Sequence, residues 1–285
     1  MRSLSLRSPA KLNLFLQVVN KRPDGYHNLA TLFERIDLFD DLKLTLNSTG
    51  DIRVFCDHPD VPKDCRNLVF KAAQLLKDDF AFAEGVDFVI KKRIPVAAGL
   101  AGGSSNAATA LLGLSRLWKL DLTRRELLAY ARTLGSDVPF FIYDCSWAIG
   151  TGRGDRIKPI RLNRKLWHIL FVPSIKMYTK EVFEAVNLEL TKTNDDVNIF
   201  IRSLKKSDIF VIGGLLRNDL EIPIIKLTPD LRKFKDHLMT LNPQGVSFSG
   251  SGPALFGLTE NRERAEEMKD ILQKQFSQVF AVRTF

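Results

Sequence analysis

The sequence has few cysteines and no long apolar run. These two absences argue against a disulfide-rich secreted protein and against a membrane-spanning one. It holds three cysteines in 285 residues. Cys56, Cys65 and Cys145 match no metal-ligand spacing, and an odd number makes a poor disulfide framework. No apolar stretch approaches the roughly 20 residues that a membrane-spanning helix needs, and the segment Met1–Ser8 is too short and too polar for a secretory signal. We therefore expect a protein of a reducing cytoplasm with no membrane partner.

Acidic residues are in the minority, which indicates an anionic partner. The chain has 42 Lys and Arg against 33 Asp and Glu, a formal net charge of +9. Such a charge suits nucleic acid or a substrate that carries several phosphates. The densest basic runs, at residues 91–93, 161–165 and 205–206, are short and are not interleaved with aromatic residues. We therefore expect no nucleic acid as the main partner.

The two most familiar nucleotide-binding loops, the P-loop and the Rossmann fingerprint, are missing. A different glycine-rich segment stands between an apolar strand pattern at 86–91 and a helical pattern from Ser104 onward. Glycines let backbone amides approach a ligand closely, and a helix start favours an anion. Ser104 or Ser105 can cap the helix or ligate a magnesium ion, and the alternative is a plain glycine-rich turn with a serine cap. The residues predicted to bind the phosphates are Pro95, Val96, Ala97, Ala98, Gly99, Leu100, Ala101, Gly102, Gly103, Ser104 and Ser105.

The remaining patterns alternate between strand and helix. Residues 10–18 alternate apolar and polar side chains, which predicts a strand with one core face and with Lys11 and Asn13 side by side on the other. A helix is predicted over 124–134, followed by a turn that carries Asp137. After about residue 155 the patterns predict a strand near 166–172, helices near 179–190, 195–204, 229–240 and 261–276, and a strand at 279–283. We expect an α+β enzyme with domains 1–155 and 156–285.

Three separated motifs give the chain a family resemblance. They are Ser-Pro-Ala-Lys-Leu-Asn-Leu-Phe-Leu at 8–16, the glycine-rich segment continued to residue 109, and Gly-Val-Ser-Phe-Ser-Gly-Ser-Gly-Pro at 245–253. This ordered set resembles the galactokinase, homoserine kinase, mevalonate kinase and phosphomevalonate kinase (GHMP) superfamily. Two further motifs, Arg-Pro-Asp-Gly-Tyr-His at 22–27 and Leu-Gly-Ser-Asp-Val-Pro-Phe-Phe at 134–141, are similar to one branch, the 4-diphosphocytidyl-2-C-methyl-D-erythritol kinases.

The resemblance implies a two-domain GHMP-kinase fold with an N-terminal ATP-binding domain, a C-terminal domain and the active site in the cleft between them. It implies ATP as phosphoryl donor together with Mg²⁺. The implied reaction moves the γ-phosphate to the 2-hydroxyl of 4-diphosphocytidyl-2-C-methyl-D-erythritol, giving the 2-phosphate and ADP, in the methylerythritol-phosphate route to isoprenoids.

Two residues are the candidates for catalysis. An alcohol is a weak nucleophile, so a kinase needs a positioned acceptor for its proton and cations near the transferring phosphoryl group. The resemblance makes Asp137 the general base, and the alternative is a helix-cap aspartate. Lys11 would keep that carboxylate ionised and stabilise phosphoryl charge; the alternative is a solvated lysine on a sheet edge. Asn13 would hydrogen-bond the substrate or Asp137.

The resemblance also implies a cytosine pocket. Tyr26 would stack on the base and His27 would hydrogen-bond its polar edge, although an ordinary turn flank is the alternative for this pair. Thr179 and Phe183 resemble the second wall, and Phe183 is equally suited to a core. At the adenine end, Asn67, Leu68 and Lys92 are expected to contact ATP.

One departure from the family pattern concerns the phosphate loop. Ala101 stands where many members have a further glycine, and its methyl group disfavours a positive φ. Three competing functions remain: a kinase for another small alcohol such as homoserine or mevalonate, a non-catalytic nucleotide sensor, and a nucleic-acid-binding protein. Tyr26 and His27 argue against the first, because those alcohols have no base to stack. Lys11 and Asp137 together argue against the second.

Overall fold

The computed structural model describes residues 2–189, 197–206 and 208–285, and two long strands organise it. They are β1 (Ser3–Lys21) and β2 (His27–Asn47), which pair with each other. Contacts divide the chain into two units that interleave along the sequence. The first unit holds the residues up to Ala10 with 38–96 and 101–144, and the second holds 11–37, 97–100 and 145–285. The boundary near residue 155 stays a prediction.

The first unit is a sheet covered by helices. Its strands are the start of β1 and the later part of β2, with β3 (Ile52–Cys56) and β4 (Gly85–Lys91). β4 pairs antiparallel with β2 and parallel with β3. The helices α1 (Leu68–Phe80) and α3 (Arg124–Leu134) both pack on α2, which runs over Gly102–Leu117, and the short α4 (Val138–Ile142) completes the layer.

The second unit contains two groups of strands. The strands are β5 (Trp147–Gly152), β6 (Arg156–Ile160), β7 (Trp167–Phe171), β8 (Arg217–Asn218), β9 (Gly245–Phe248), β10 (Leu255–Thr259) and β11 (Val279–Arg283). The earlier part of β2 pairs antiparallel with β5, which pairs in turn with β6, and β8 pairs in parallel with β1. A separate antiparallel sheet has the strand order β11-β7-β10-β9. The helices are α5 (Thr179–Glu184), α6 (Val197–Lys206), α7 (Ile209–Gly214), α8 (Glu221–Leu227), α9 (Asp230–Met239) and α10 (Arg262–Leu272). None of the helices in the described ranges is long and apolar enough to cross a membrane.

The structure confirms the α+β class, and most of the predicted elements are present. The helix at 124–134 and the strand at 279–283 are found with the predicted bounds. The helix predicted near 179–190 is wrong in length, because α5 ends at Glu184; residue 190 and the predicted start of the next helix at 195 lie outside the described residues. The prediction of one core face for β1 is also wrong, since its residues 8–16 are buried on both faces.

A buried polar cluster fixes the earlier part of β2 in the second unit. Glu34 Oε2 lies 2.8 Å from His168 Nε2 on β7, and Glu34 Oε1 accepts a hydrogen bond of 2.5 Å from Thr284 Oγ1. Leu166 N donates to the same threonine oxygen at 2.8 Å. The three clustered side chains are at most 1% exposed. The cluster therefore anchors the strand that begins at His27 to the second sheet of its unit.

A buried carboxylate sets the start of α2 in the first unit. Asp40 is fully buried and accepts four hydrogen bonds, from Lys92 Nζ at 2.5 Å, Arg93 N at 2.8 Å, Ile94 N at 2.9 Å and Asn106 Nδ2 at 3.0 Å. A methyl group added at Gly102 would lie 3.0 Å from both Lys92 Nζ and Ile94 Cγ2. The carboxylate thus joins β2, the segment after β4 and the first turns of α2.

We expect Asp40→Ala to lower the free energy of unfolding by about 3–5 kcal/mol, because it leaves a buried ammonium and two backbone amides without their acceptor. Urea titration followed by circular dichroism measures the change. The matched control is Asp64→Ala, which removes the exposed Arg66–Asp64 pair of 2.7 Å and which we expect to leave the midpoint unchanged. Equal midpoints for the two variants would contradict the role assigned to Asp40.

Candidate active site

The ammonium group of Lys11 is buried and held by oxygen atoms of its own unit. Lys11 is 3% exposed, and Nζ donates to Asn13 Oδ1 at 2.5 Å and to Gly99 O at 2.7 Å. The alternative of a solvated lysine on a sheet edge is therefore wrong, since the side chain is buried and its backbone N donates to Leu100 O at 3.2 Å. An unpaired ammonium in such a place would cost several kcal/mol, so its oxygen partners are a requirement of the fold.

Asn13 is held in one orientation by the next strand. It is 2% exposed, and its Nδ2 donates to Thr31 Oγ1 at 2.8 Å. The Thr31 hydroxyl donates in turn to Phe15 O at 2.7 Å. Because the amide nitrogen is engaged with Thr31, the amide oxygen of Asn13 faces Lys11 and cannot exchange places with the nitrogen.

Within the second unit, residues 97–100 of the first glycine-rich segment contact the second glycine-rich segment closely at Gly99. This residue has φ +78°, and a Cβ atom added to it would lie 2.1 Å from Ser249 O. Ser249 Oγ donates to Gly99 O at 3.0 Å, so this carbonyl accepts from both Ser249 and Lys11. The second segment therefore packs directly on residues 97–100 of the first.

The backbone of the phosphate loop is left-handed at several positions. Ala97, Gly99 and Ala101 have φ values of 54°, 78° and 55°. Ala101 adopts a positive φ despite its methyl group, at a cost of roughly 1–2 kcal/mol for a non-glycine residue. It occupies the N-cap position of α2 without a side-chain cap, so neither Ser104 nor Ser105 takes that position. The plain serine-capped turn is therefore wrong for this segment.

The two serines of the helix start differ in exposure. Ser104 is half-buried, whereas Ser105 is fully buried and its Oγ has no hydrogen-bond partner in the part of the chain that the structure describes. Only Ser104 of the two offers its side chain to a ligand in this conformation.

The residues predicted for the adenine end have structural partners in the first unit. Asn67 caps α1, since its Oδ1 accepts from Val69 N at 3.0 Å while its Nδ2 donates to Pro62 O at 2.6 Å. Lys92 is paired with Asp40. Leu68 lies beside the loop, 4.0 Å from the position of a Cβ added at Gly103.

Asp137 stands at the start of α4 in the first unit. It occupies the N-cap position and is partly buried, but its side chain makes no capping hydrogen bond. The alternative of a helix-cap aspartate therefore holds for its position but not for a capping hydrogen bond. Asp137 precedes a short buried helix that begins at Val138 and has Pro139 in its first turn.

The predicted cytosine-binding residues lie at the start of β2 and on α5. His27 is 8% exposed and stacks on Phe183, with ring centroids 5.6 Å apart and planes 25° apart. The pKa of His27 is lowered, first because burial disfavours the imidazolium and second because Lys21 is positively charged. Phe183 is thus neither exposed nor fully in the core; it is half-buried and fixes the plane of the imidazole.

Two features of this region were not predicted from the sequence. Tyr26 is 56% exposed, and the guanidinium carbon of Arg153 lies 5.0 Å from its ring centroid. Thr179 Oγ1 lies 2.9 Å from Ser251 Oγ, which links α5 to the second glycine-rich segment. Arg153 follows Gly152 in a turn after β5, and no local pattern indicates that this turn meets the one before β2.

Comparison with known proteins identifies the same family that the sequence motifs indicate. The family model "GHMP kinases N terminal domain" matches residues 67–145, and "GHMP kinases C terminal" matches 200–278. A 4-diphosphocytidyl-2-C-methyl-D-erythritol kinase of Geobacillus kaustophilus is 43% identical over 98% of this chain and 96% of its own length. One of Exiguobacterium sibiricum is 40% identical over 99% of this chain and 98% of its own length.

A solved structure supports the same grouping. A crystal structure of 4-(cytidine 5'-diphospho)-2C-methyl-D-erythritol kinase is 33% identical, covers 99% of this chain and 100% of its own, and superposes with a TM-score of 0.84. The relatives match the chain over nearly its whole length, and their names agree with the motifs that contain the buried Lys11 and the glycine-rich segment before α2. The chain therefore belongs to the 4-diphosphocytidyl-2-C-methyl-D-erythritol kinase family of the GHMP kinases.

Proposed function

We propose that this kinase transfers the γ-phosphate of ATP to the 2-hydroxyl of 4-diphosphocytidyl-2-C-methyl-D-erythritol, giving the 2-phosphate and ADP in the methylerythritol-phosphate route to isoprenoid precursors. The observation that carries the proposal is the buried ammonium of Lys11, held by the carbonyl of Gly99 in the glycine-rich segment. The names of relatives 40–43% identical over nearly the whole chain support the substrate. We propose a cytoplasmic enzyme with these two small-molecule partners, and the two family matches on either side of residue 155 support the domains 1–155 and 156–285.

The triphosphate is proposed to bind at the segment 95–105. The first backbone amides of α2 have no acceptor within the helix, and the helix dipole favours an anion there. Gly102 and Gly103 add no side chain that would keep a phosphate away from these amides. Asn67 and Lys92 are proposed to shape the nucleotide site, because their side chains are already engaged with α1 and with Asp40.

Mg²⁺ is proposed to arrive as part of the substrate Mg-ATP. Among the described residues there is no group of three or more His, Cys, Asp or Glu that could hold a metal ion. Mg²⁺ commonly relies on substrate phosphates and water with only one or two protein ligands, so the residues present suit a phosphate-borne ion. Of the two serines predicted for this role, half-buried Ser104 is the better candidate, because Ser105 is fully buried.

Asp137 is proposed to accept the proton of the 2-hydroxyl with the assistance of Lys11, which is also proposed to stabilise the negative charge that develops on the transferred phosphoryl group. The carboxylate of Asp137 makes no capping hydrogen bond to α4. The ammonium of Lys11 is fixed by hydrogen bonds to Asn13 and Gly99. Electrostatic stabilisation is most effective when the charged group needs no reorganisation during the reaction.

Substrate choice is proposed to rest on Tyr26, His27, Phe183 and Thr179. The exposed ring of Tyr26 offers a face for the cytosine base. A lowered pKa leaves His27 neutral at pH 7, so that one ring nitrogen donates and the other accepts. One of these nitrogens can therefore pair with the edge of cytosine, which carries an amino donor beside a ring-nitrogen acceptor.

The assay that tests the substrate is ADP release with diphosphocytidyl-methylerythritol, homoserine and mevalonate in parallel. We expect kcat/KM for the cytidyl substrate to exceed the other two by at least about 10³-fold, since a site built to hydrogen-bond a base leaves those groups unpaired with the smaller alcohols. Comparable turnover of homoserine or mevalonate would favour a kinase of another alcohol. ATP binding with no turnover of any of the three would favour a nucleotide sensor.

We expect Asp137→Ala to lower kcat by roughly 10²- to 10⁴-fold, the usual contribution of a general base, while the Kd for ATP stays unchanged. A matched control is Asp208→Ala, because Asp208 is a true helix cap whose Oδ1 accepts from Val211 N at 3.1 Å. That variant should lose stability and keep its kcat. Near-normal turnover by Asp137→Ala would remove Asp137 as the base.

We expect Tyr26→Ala to raise KM for the cytidyl substrate by about 10-fold or more and KM for ATP by less than about 2-fold, since stacking on a base contributes roughly 1–3 kcal/mol. Tyr26→Phe keeps the aromatic face and should bind almost as the parent does. Initial rates at varied concentrations of each substrate give both constants. Equal increases in the two KM values would place Tyr26 outside the cytosine pocket.

A further inference from the structure

Asn218 is a buried amide whose hydrogen bonds are all made within the second unit. It is 6% exposed and lies on β8. Its Nδ2 donates to Phe248 O at 2.9 Å and to Gly250 O at 2.8 Å, while its Oδ1 accepts from Leu220 N at 2.9 Å. A carboxamide has two N–H donors and one carbonyl, so its donors match these two carbonyls and its oxygen matches this amide. One side chain therefore clamps the two carbonyls that flank Ser249.

The segment that Asn218 holds, residues 248–250, lies beside the ammonium group of Lys11. Ser249 packs against Gly99, whose carbonyl accepts from Lys11 Nζ. A Cβ atom added at Gly250 would lie 3.2 Å from Lys11 Nζ and 3.4 Å from Asn13 Oδ1. The backbone of Gly250 thus forms a wall beside the ammonium, and the carbonyl of that same residue is one of the two that Asn218 holds.

Asn218 is also anchored to the strand that carries the lysine. β8 pairs in parallel with β1, and the register places Leu16 opposite Asn218. The next residue, Asp219, donates from its backbone N to Leu16 O at 2.9 Å and accepts from Val18 N through Oδ2 at 2.8 Å. Asn218 therefore connects β1, which carries Lys11, to the segment 248–250, whose backbone lies beside the Lys11 ammonium.

We propose that Asn218 is a positioning residue for phosphoryl transfer, which sets where the Lys11 ammonium lies by fixing Ser249 and Gly250 relative to β1. A lysine ammonium sits on a flexible four-carbon stem and is placed only by its surroundings. A displacement of about 1 Å in a catalytic group can cost roughly 10²-fold in rate. The inference rests on the proposed function, because it assigns Asn218 to the step in which Lys11 stabilises phosphoryl charge.

The first test compares Asn218→Ala with a structural control. Asn261→Ala removes the cap of α10 in the same unit, where Asn261 Oδ1 accepts from Arg264 N at 2.9 Å. We expect Asn218→Ala to lower kcat by about 10- to 100-fold, with KM for ATP and for the cytidyl substrate changed by less than about 3-fold. Asn261→Ala should keep the parental kcat although its melting temperature falls.

The second test uses Asn218→Asp, in which the amide donor is replaced by an oxygen. An ionised carboxylate would face the carbonyls of Phe248 and Gly250, whereas the protonated acid can donate to one of them. We therefore expect kcat of this variant, relative to the parent, to rise several-fold as the pH is lowered from about 8 to about 6, since burial raises the pKa of a carboxyl group. A residue that only stabilised the fold would leave this ratio constant with pH.

The outcomes separate the inference from the function on which it rests. Failure of the parent enzyme to phosphorylate the cytidyl substrate would overturn the proposed function. An active parent with Asn218→Ala kcat within about 2-fold of it, or with a pH-independent Asn218→Asp ratio, would overturn the positioning role. Circular dichroism and melting temperature confirm that each variant is folded, and if Asn218→Ala does not fold, the pH dependence of Asn218→Asp decides alone.

Discussion

The second unit depends on one electrostatic requirement, that the buried ammonium of Lys11 be surrounded by oxygen atoms. Taking an ammonium group out of water costs several kcal/mol, and only well-placed acceptors recover that loss. Asn13 and the carbonyl of Gly99 supply them. The carbonyl is available there because Gly99 has no side chain, which allows Ser249 to approach the backbone more closely than any Cβ would permit. Gly99 and Gly250 are thus explained by the close packing around the Lys11 ammonium.

In each unit a buried polar side chain positions the candidate site residues. The group is a charged carboxylate in the first unit and a neutral amide in the second. In the first unit the carboxylate of Asp40 gathers a lysine, two backbone amides and Asn106 at the start of α2. In the second unit the neutral amide of Asn218 clamps two carbonyls and accepts one amide. Each group is matched to its partners by donor and acceptor count, which is what makes a buried polar group stabilising.

The sequence predicted the features that depend on local pattern. The helix Arg124–Leu134 and the strand Val279–Arg283 follow from periodicity within their own residues. The motifs singled out the glycine-rich segment, Lys11 and Asp137 as candidates, and their order indicated the family. The burial of Lys11 on the second face of β1 was not predicted, because it depends on Gly99, which is distant in sequence.

The residues that were missed share this dependence on distant partners. Asp40 reaches Asn106, and Asn218 reaches Phe248 and Gly250. A two-residue parallel strand such as β8 has no periodicity from which it could be recognised. Likewise, the left-handed backbone of Ala101 contradicts the preference of its residue type, since the loop imposes a conformation that the local sequence disfavours.

The measurement that tests the account most directly is a double-mutant cycle of Lys11→Met and Asp137→Ala on the single-turnover rate of phosphoryl transfer. If both residues serve the same step, removing the second after the first costs little, so the double variant should be within about 3-fold of the slower single variant. If the two losses multiply instead, the residues act independently, and the proposal of a base assisted by the lysine is contradicted.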